Sequence, residues 1–143
     1  MNLHFTLDVV PHSKKNSSQI CRLKNGRTLL LPSKLYKKFE DDCLSLIPED
    51  LQLNLSEPIT VKAHFYCKTR RKIDLTNLLE ALDDMLVKAG VIKDDCRDVI
   101  ASHDGSRVYY DKEHPKIEIW IEDFKEDYTI WKKEDDIKKI SKK

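Results

Sequence analysis

Two periodicities divide this chain into elements. Leu3, Phe5, Leu7 and Val9 alternate with polar neighbours, the repeat of a strand buried on one face, and Pro11 ends the run. Ile59, Val61, Ala63, Phe65 and Cys67 alternate more cleanly and predict the best strand of the chain. Val99 to Ser102 and the alternating Ile117, Ile119 and Ile121 predict two more, separated by a polar segment containing Gly105. Between Thr76 and Ala89 the period changes. Leu78, Leu79, Leu82, Met85, Leu86 and Ala89 gather within roughly a third of the circumference at about 100° per residue, which predicts an amphipathic helix. Gly90 follows where a left-handed C-cap is wanted.

An earlier helix is predicted from Ser33, a residue suited to an N-cap, with Tyr36, Phe39, Cys43, Leu46 and Ile47 on one side. Thr28 to Leu31 reads as a short strand after the turn signal Asn25-Gly26, whereas Pro11 to Asn25 is polar, basic and aperiodic and reads as a loop. The order of elements points to an α/β fold of the α+β type, a small mixed sheet with two main helices packed against it. Its final two strands are expected to pair as a hairpin. The domain spans residues 1–122; residues 123–143 form a charged tail, docked as a helix or frayed.

The length of 143 residues suits one domain. No apolar run approaches a membrane span, and His4 and Asp8 interrupt the short apolar stretch at the amino terminus, so no signal peptide is expected. Cys21, Cys43, Cys67 and Cys96 stand far apart without a CxxC pair, which fits reduced thiols in a cytoplasmic protein better than zinc ligands.

The net charge of +1 conceals a segregation along the chain. Val9 to Phe39 contains no acid but holds Lys14, Lys15, Arg22, Lys24, Arg27, Lys34, Lys37 and Lys38. A second acid-free stretch holds Lys62, Lys68, Arg70, Arg71 and Lys72, while acids concentrate in Glu40 to Glu57 and Asp74 to Asp98. Such a division gives a near-neutral protein a positive face, the footprint of a polyanion binder.

Candidate chemistry sits beside the second basic stretch. Asp74 lies between it and the long helix; Asn77, Glu80, Asp84 and Lys88 share that helix's polar face; Asp94 and Asp95 follow Gly90. Carboxylates drawn together from a strand end, a helix and a loop are the hard oxygen ligands that Mg²⁺ or Mn²⁺ takes, with water and phosphate completing the shell. A solvated helix face followed by an acidic turn has the same pattern. His4, His12, His64, His103 and His114 are scattered, with no HExxH, and three glycines in the chain leave no phosphate-cradling loop.

The stretch from Lys72 to Asp95 resembles the signature of the RusA family of Holliday-junction resolvases. Asp74, Asn77, Leu78, Asp84, Leu86, Gly90, Asp94 and Asp95 match it in type and spacing. Pro11, Ser13 and Asn16 resemble the family's early loop, and Gly26-Arg27-Thr28 with Ser33 and Tyr36, then Pro115 to Ile121, extend the likeness over about residues 3–122. The resemblance implies a homodimeric, Mg²⁺- or Mn²⁺-dependent endonuclease of phage or prophage setting that cuts four-way DNA junctions by paired nicks. It implies that Asp74, Asp84 and Asp95 are catalytic and hold the metal with Asp94 beside them, and that Thr76 and Asn77 orient the site. Lys14, Lys15, Asn16, Arg70, Arg71 and Lys72 are then the phosphate contacts. Two positions depart from the pattern: the family's second Asp is Thr76, and a Lys of the early helix is Glu80. On helical spacing Asp84 is placed to supply the missing carboxylate, since it lies about two turns from Asn77. A junction-binding module that has lost catalysis through these two changes is the competing expectation.

Overall fold

The computed structural model describes residues 1–14, 18–32 and 34–126. Among the described residues seven strands and two α-helices follow in the order β1 (Asn2–Leu7), β2 (Ser18–Arg22), β3 (Thr28–Pro32), α1 (Lys34–Leu46), β4 (Ile59–Cys67), α2 (Leu75–Lys88), β5 (Ile100–Ser102), β6 (Arg107–Tyr110) and β7 (Lys116–Asp123), with a 3-10 turn at Glu49–Leu51. The predicted mixed sheet with two helices is what forms. Its five strands run β1-β7-β4-β5, with β6 also on β4.

Strand β4 organises the molecule. Along one edge it pairs antiparallel with β7, in register from Ile59 opposite Asp123 to Tyr66 opposite Lys116, and β7 in turn pairs antiparallel with β1. The other edge is filled in two pieces, by β5 at Ile59 and Thr60 and by β6 from His64 to Cys67, both parallel. The expected hairpin of the last two strands is therefore not formed: β7 lies on the opposite edge of β4 from β5, and an unforeseen strand, β6, intervenes in sequence. Parallel addition of β5 is what a strand–helix–strand crossover through α2 requires.

Where β5 stops and β6 has not begun, side chains replace the ladder. The His103 ring is hydrogen-bonded through Nδ1 to the Val61 carbonyl at 2.8 Å, and Ser106 Oγ accepts from the Ala63 amide at 3.1 Å. Buried main-chain groups rarely go unpaired, and these two are satisfied without a continuous strand.

The inward residues of β4 and β7, from Ile59 to Cys67 and from Ile117 to Ile121, meet Leu78, Leu82, Met85 and Leu86 of α2 and Tyr36, Phe39 and Cys43 of α1 in one core. Helix α2 forms because its apolar residues recur at three- and four-residue spacing without glycine or proline, and it stops at Gly90, whose φ of +76° an L side chain resists. Leu46, assigned to the core side of α1, is instead 47% exposed at that helix's end. Val9 lies beyond the end of β1. The stretch read as a loop from Pro11 to Asn25 contains β2, which pairs with β3 from Ser18 opposite Pro32 to Arg22 opposite Thr28. A two-stranded ribbon draws its bonds from the facing backbone, so it forms without the apolar alternation that marks sheet strands. Gly26, at φ +84°, makes the turn. Ser33, Lys15, Asn16 and the tail from 127 onward lie outside the described residues.

Candidate nuclease site

Asp74 occupies the N-cap of α2 in an extended conformation, yet its side chain makes no capping bond to the helix. Its carboxylate accepts instead from the Asn77 side-chain amide, at 3.3 Å. An acid held at the positive end of a helix and not consumed by capping keeps lone pairs for another partner. Thr76, on the first turn, is exposed.

One and two turns along the same stripe lie Glu80 and Asp84. Asn77, Glu80, Ala81 and Asp84 bound a small recess of about 20 Å³ whose remaining wall is Lys14, from the segment after β1. Lys14 Nζ stands 3.6 Å from Asp84 Oδ2. Thus the predicted phosphate contact Lys14 and the predicted ligand Asp84 meet across the recess, and Asn77 and Asp84 share a face as their spacing implied. A second ion pair, Lys88 to Glu40 at 2.9 Å, ties α2 to α1 on this side.

The basic triplet follows β4. Arg70 lies with its guanidinium 4.4 Å over the Tyr110 ring at the end of β6, and Arg71 and Lys72 are exposed immediately before Asp74. Because the Asp111 amide donates to the Cys67 carbonyl, the end of β6 and the end of β4 stay together, which keeps Tyr110 beside the segment that carries Arg70.

Asp94 and Asp95 occupy the loop beyond Gly90 and do not line the recess. Asp94 Oδ1 accepts from the Asp95 amide at 2.8 Å, and that bond holds the Asp94 carboxyl below its usual range. Asp95 bears on Asp83, one position before Asp84 and about 100° round the helix from it. Among the described residues no three His, Cys, Asp or Glu side chains are grouped closely enough to hold a metal ion. Asp74, Asp84 and Asp95, expected to converge, do not form such a group among the described residues. What is present suits an open site. Mg²⁺ commonly takes one or two carboxylates and leaves its other positions to water and phosphate, and the recess offers two carboxylates, an amide oxygen and room for one water-sized species.

One pair escaped the sequence reading. Asp83 Oδ2 lies 2.9 Å from His103 Nε2, and its Oδ1 has no hydrogen-bond partner among the described residues. Burial is the main reason the Asp83 carboxyl is raised above its ordinary value, with Asp95 and Asp84 adding to it and His103 opposing. For His103, burial disfavours the charged ring, but the bond to Asp83 and its charge outweigh this and raise its pKa. The signal was in the sequence: Asp83 interrupts the apolar stripe between Leu79 and Leu86, where an acid needs a partner.

The family model for the endodeoxyribonuclease RusA matches residues 8–122. The chain belongs to the RusA endodeoxyribonuclease family. The match takes in both acid-free stretches, the recess, the Asp94–Asp95 loop and β7, and so covers most of the fold just described. None of the curated proteins matches the chain significantly. RusA nucleases act on Holliday junctions and are generally divalent-metal dependent. No helix among the described residues is long and apolar enough to cross a membrane.

Proposed function

We propose that this protein is a cytoplasmic, Mg²⁺- or Mn²⁺-dependent, structure-selective endodeoxyribonuclease that resolves four-way junctions by paired nicks, working as a homodimer in a phage or prophage setting. The observation that carries the reading is the stripe Asn77–Glu80–Asp84 facing Lys14, with Asp74 bonded to Asn77 at the start of the helix and Arg70, Arg71 and Lys72 just before it in the chain. Carboxylates for a cation and cations for phosphates stand on adjoining surfaces of one helix start.

In this reading Asp74 and Asp84 hold the metal and Glu80 takes part from the wall of the recess, while Asp95 and Asp94 contribute as catalytic carboxylates from the loop after α2, outside the recess. Bound there, a divalent ion would supply Lewis-acid polarisation of the scissile phosphate and an oriented, activated water. Asn77 holds Asp74 in place through its amide, and Thr76 fills the position of the family's second Asp with a neutral hydroxyl. Lys14, Lys15, Asn16, Arg70, Arg71 and Lys72 grip the backbone phosphates on either side of the bond to be cut, which orients it for hydrolysis.

The second reading is a junction-binding module without catalysis. It is favoured by Thr76 and by the lack of a three-acid cluster among the described residues. A synthetic four-way junction incubated with and without Mn²⁺ separates the two. Metal-dependent nicking that disappears in Asp74→Asn and Asp95→Asn, with junction binding retained, supports the enzyme. Binding with no nicking in any divalent ion supports the module and overturns the enzyme.

A further inference from the structure

The sheet has two unlike faces. Helices cover the inner one; on the outer one stand His4 of β1, Trp120 and Lys116 of β7, Lys62, His64 and Tyr66 of β4, and Tyr109 of β6, as the registers require. None of the outward positions of these strands, from Asn2 and Thr6 to Thr60, Glu118, Glu122 and Arg107, carries an aliphatic side chain. The rings form two parallel stacks. His4 lies on Trp120 at 4.8 Å and 4°, and Tyr66 lies on Tyr109 at 5.1 Å and 18°. His64 bridges them edge-on, 4.7 Å from Trp120 and 5.3 Å from Tyr109. Cations clamp the rings: Lys62 Nζ is 4.4 Å over Trp120 and Lys116 Nζ 4.9 Å over Tyr66. Lys62 is itself held, because its aliphatic stem fills the space beside Gly105. Each stack ends in an open ring, with the His4 side chain 55% and Tyr109 38% exposed.

We propose that this outer face binds unpaired DNA by stacking nucleobases on the two ring columns, while Lys62, Lys116 and Arg107 meet the phosphates. The inference rests on DNA being the substrate, as the preceding reading has it, and adds a surface distinct from the cutting site. Protein interfaces are poor in lysine, whereas Lys62 and Lys116 are interleaved with the rings here; such a face suits bases, all of which have a π-face, joined by an anionic backbone. Glu118 stands among the rings, opposite His64 and 3.9 Å from His4 Nε2, and Glu122 lies toward the strand's end, so these two carboxylates face the three cations Lys62, Lys116 and Arg107.

The test uses the full chain and a fluorescently labelled oligothymidylate, with anisotropy read in chelator so that no cutting occurs. Trp120→Ala and Tyr109→Ala each weaken binding about tenfold or more, and Trp120→Phe stays near the parent, since a smaller ring still stacks. Circular dichroism melts establish that the variants fold; should Trp120→Ala not fold, Tyr109→Ala, at an exposed position, carries the result. Asp74→Asn retains oligothymidylate affinity. A parent chain that does not bind the probe, or alanine variants that bind it as the parent does, overturn the proposal. So does a Trp120→Ala variant that changes the sedimenting mass while leaving probe affinity intact, which would make the face an interface between two copies of this chain. Loss of probe binding on Trp120→Ala in a chain that nicks no junction sinks the nuclease reading and leaves this one standing.

Discussion

Lys14 Nζ lies 3.6 Å from Asp84 Oδ2, so the one carboxylate of α2 best placed to replace the family's missing acid already faces a cation. The two side chains are 47% and 32% exposed, and the pair is screened by water. Its consequence is competition: a divalent ion at Asp84 must share the carboxylate with an ammonium.

Lys14→Ala is therefore expected to tighten Mn²⁺ binding roughly fivefold, the effect of removing a like charge worth about 1 kcal/mol near water, while weakening junction binding. Asp84→Asn is expected to weaken Mn²⁺ and to slow nicking by at least about tenfold. Titration calorimetry and single-turnover cleavage measure both. Unchanged cleavage and metal affinity in Asp84→Asn would remove Asp84 from the site.

Phosphate contacts release counterions, so junction affinity is expected to fall linearly on a log–log plot against salt. Arg71→Ala and Lys72→Ala, both exposed beside Asp74, should each reduce the slope by about one. A flat response in the parent chain would place the DNA surface elsewhere.

His103 sits between an acceptor and an acid. Its Nδ1 proton goes to the Val61 carbonyl, so the group between Nε2 and Asp83 is a shared proton. His103 is raised above 6.5 and Asp83 above 3.8. For His103 the folded chain keeps a proton that the unfolded chain has lost, so its stabilisation is whole below pH 6.5 and fades as pH rises through the folded His103 value; the raised Asp83 carboxyl acts in the same direction in a lower window, from pH 3.8 upward. Thermal melts from pH 6 upward should fall by at most about 1.4 kcal/mol per pH unit for the one proton. His103→Gln should be less stable and flatter in pH; an equally steep profile would assign the proton to another group.

Gly105 adopts φ +85°, and a Cβ there would come within 2.7 Å of Lys62 Cδ. The side chain can yield, so the cost of Gly105→Ala comes chiefly from the backbone, about 1 kcal/mol. Chemical denaturation should show that loss. The displaced Lys62 stem should also leave Trp120 with altered fluorescence, which a purely local strain would not produce.

The strongly periodic elements were legible without coordinates. Helix α2 and strands β4 and β7 are recovered nearly to the residue, because burial on one face writes a period of 3.6 or 2 into consecutive positions. The stripe joining Asp74, Asn77 and Asp84 was legible for the same reason, being a relation within one helix. Strand β2 was not, since a ribbon of paired backbone leaves no apolar repeat. Nor was the partition of the edge of β4 between β5 and β6, which depends on which strand reaches that edge.

By itself the amino-acid order determined which segments are amphipathic, where α2 begins and ends, and which acids and bases are neighbours along it. Only tertiary packing decided that Lys14 meets Asp84, that His103 meets Asp83, and that His4 stacks on Trp120. Local periodicity is a property of successive side chains facing one surface; these pairings are made by chain segments far apart in sequence, and the sheet order that brings them together is chosen by the burial of the whole core.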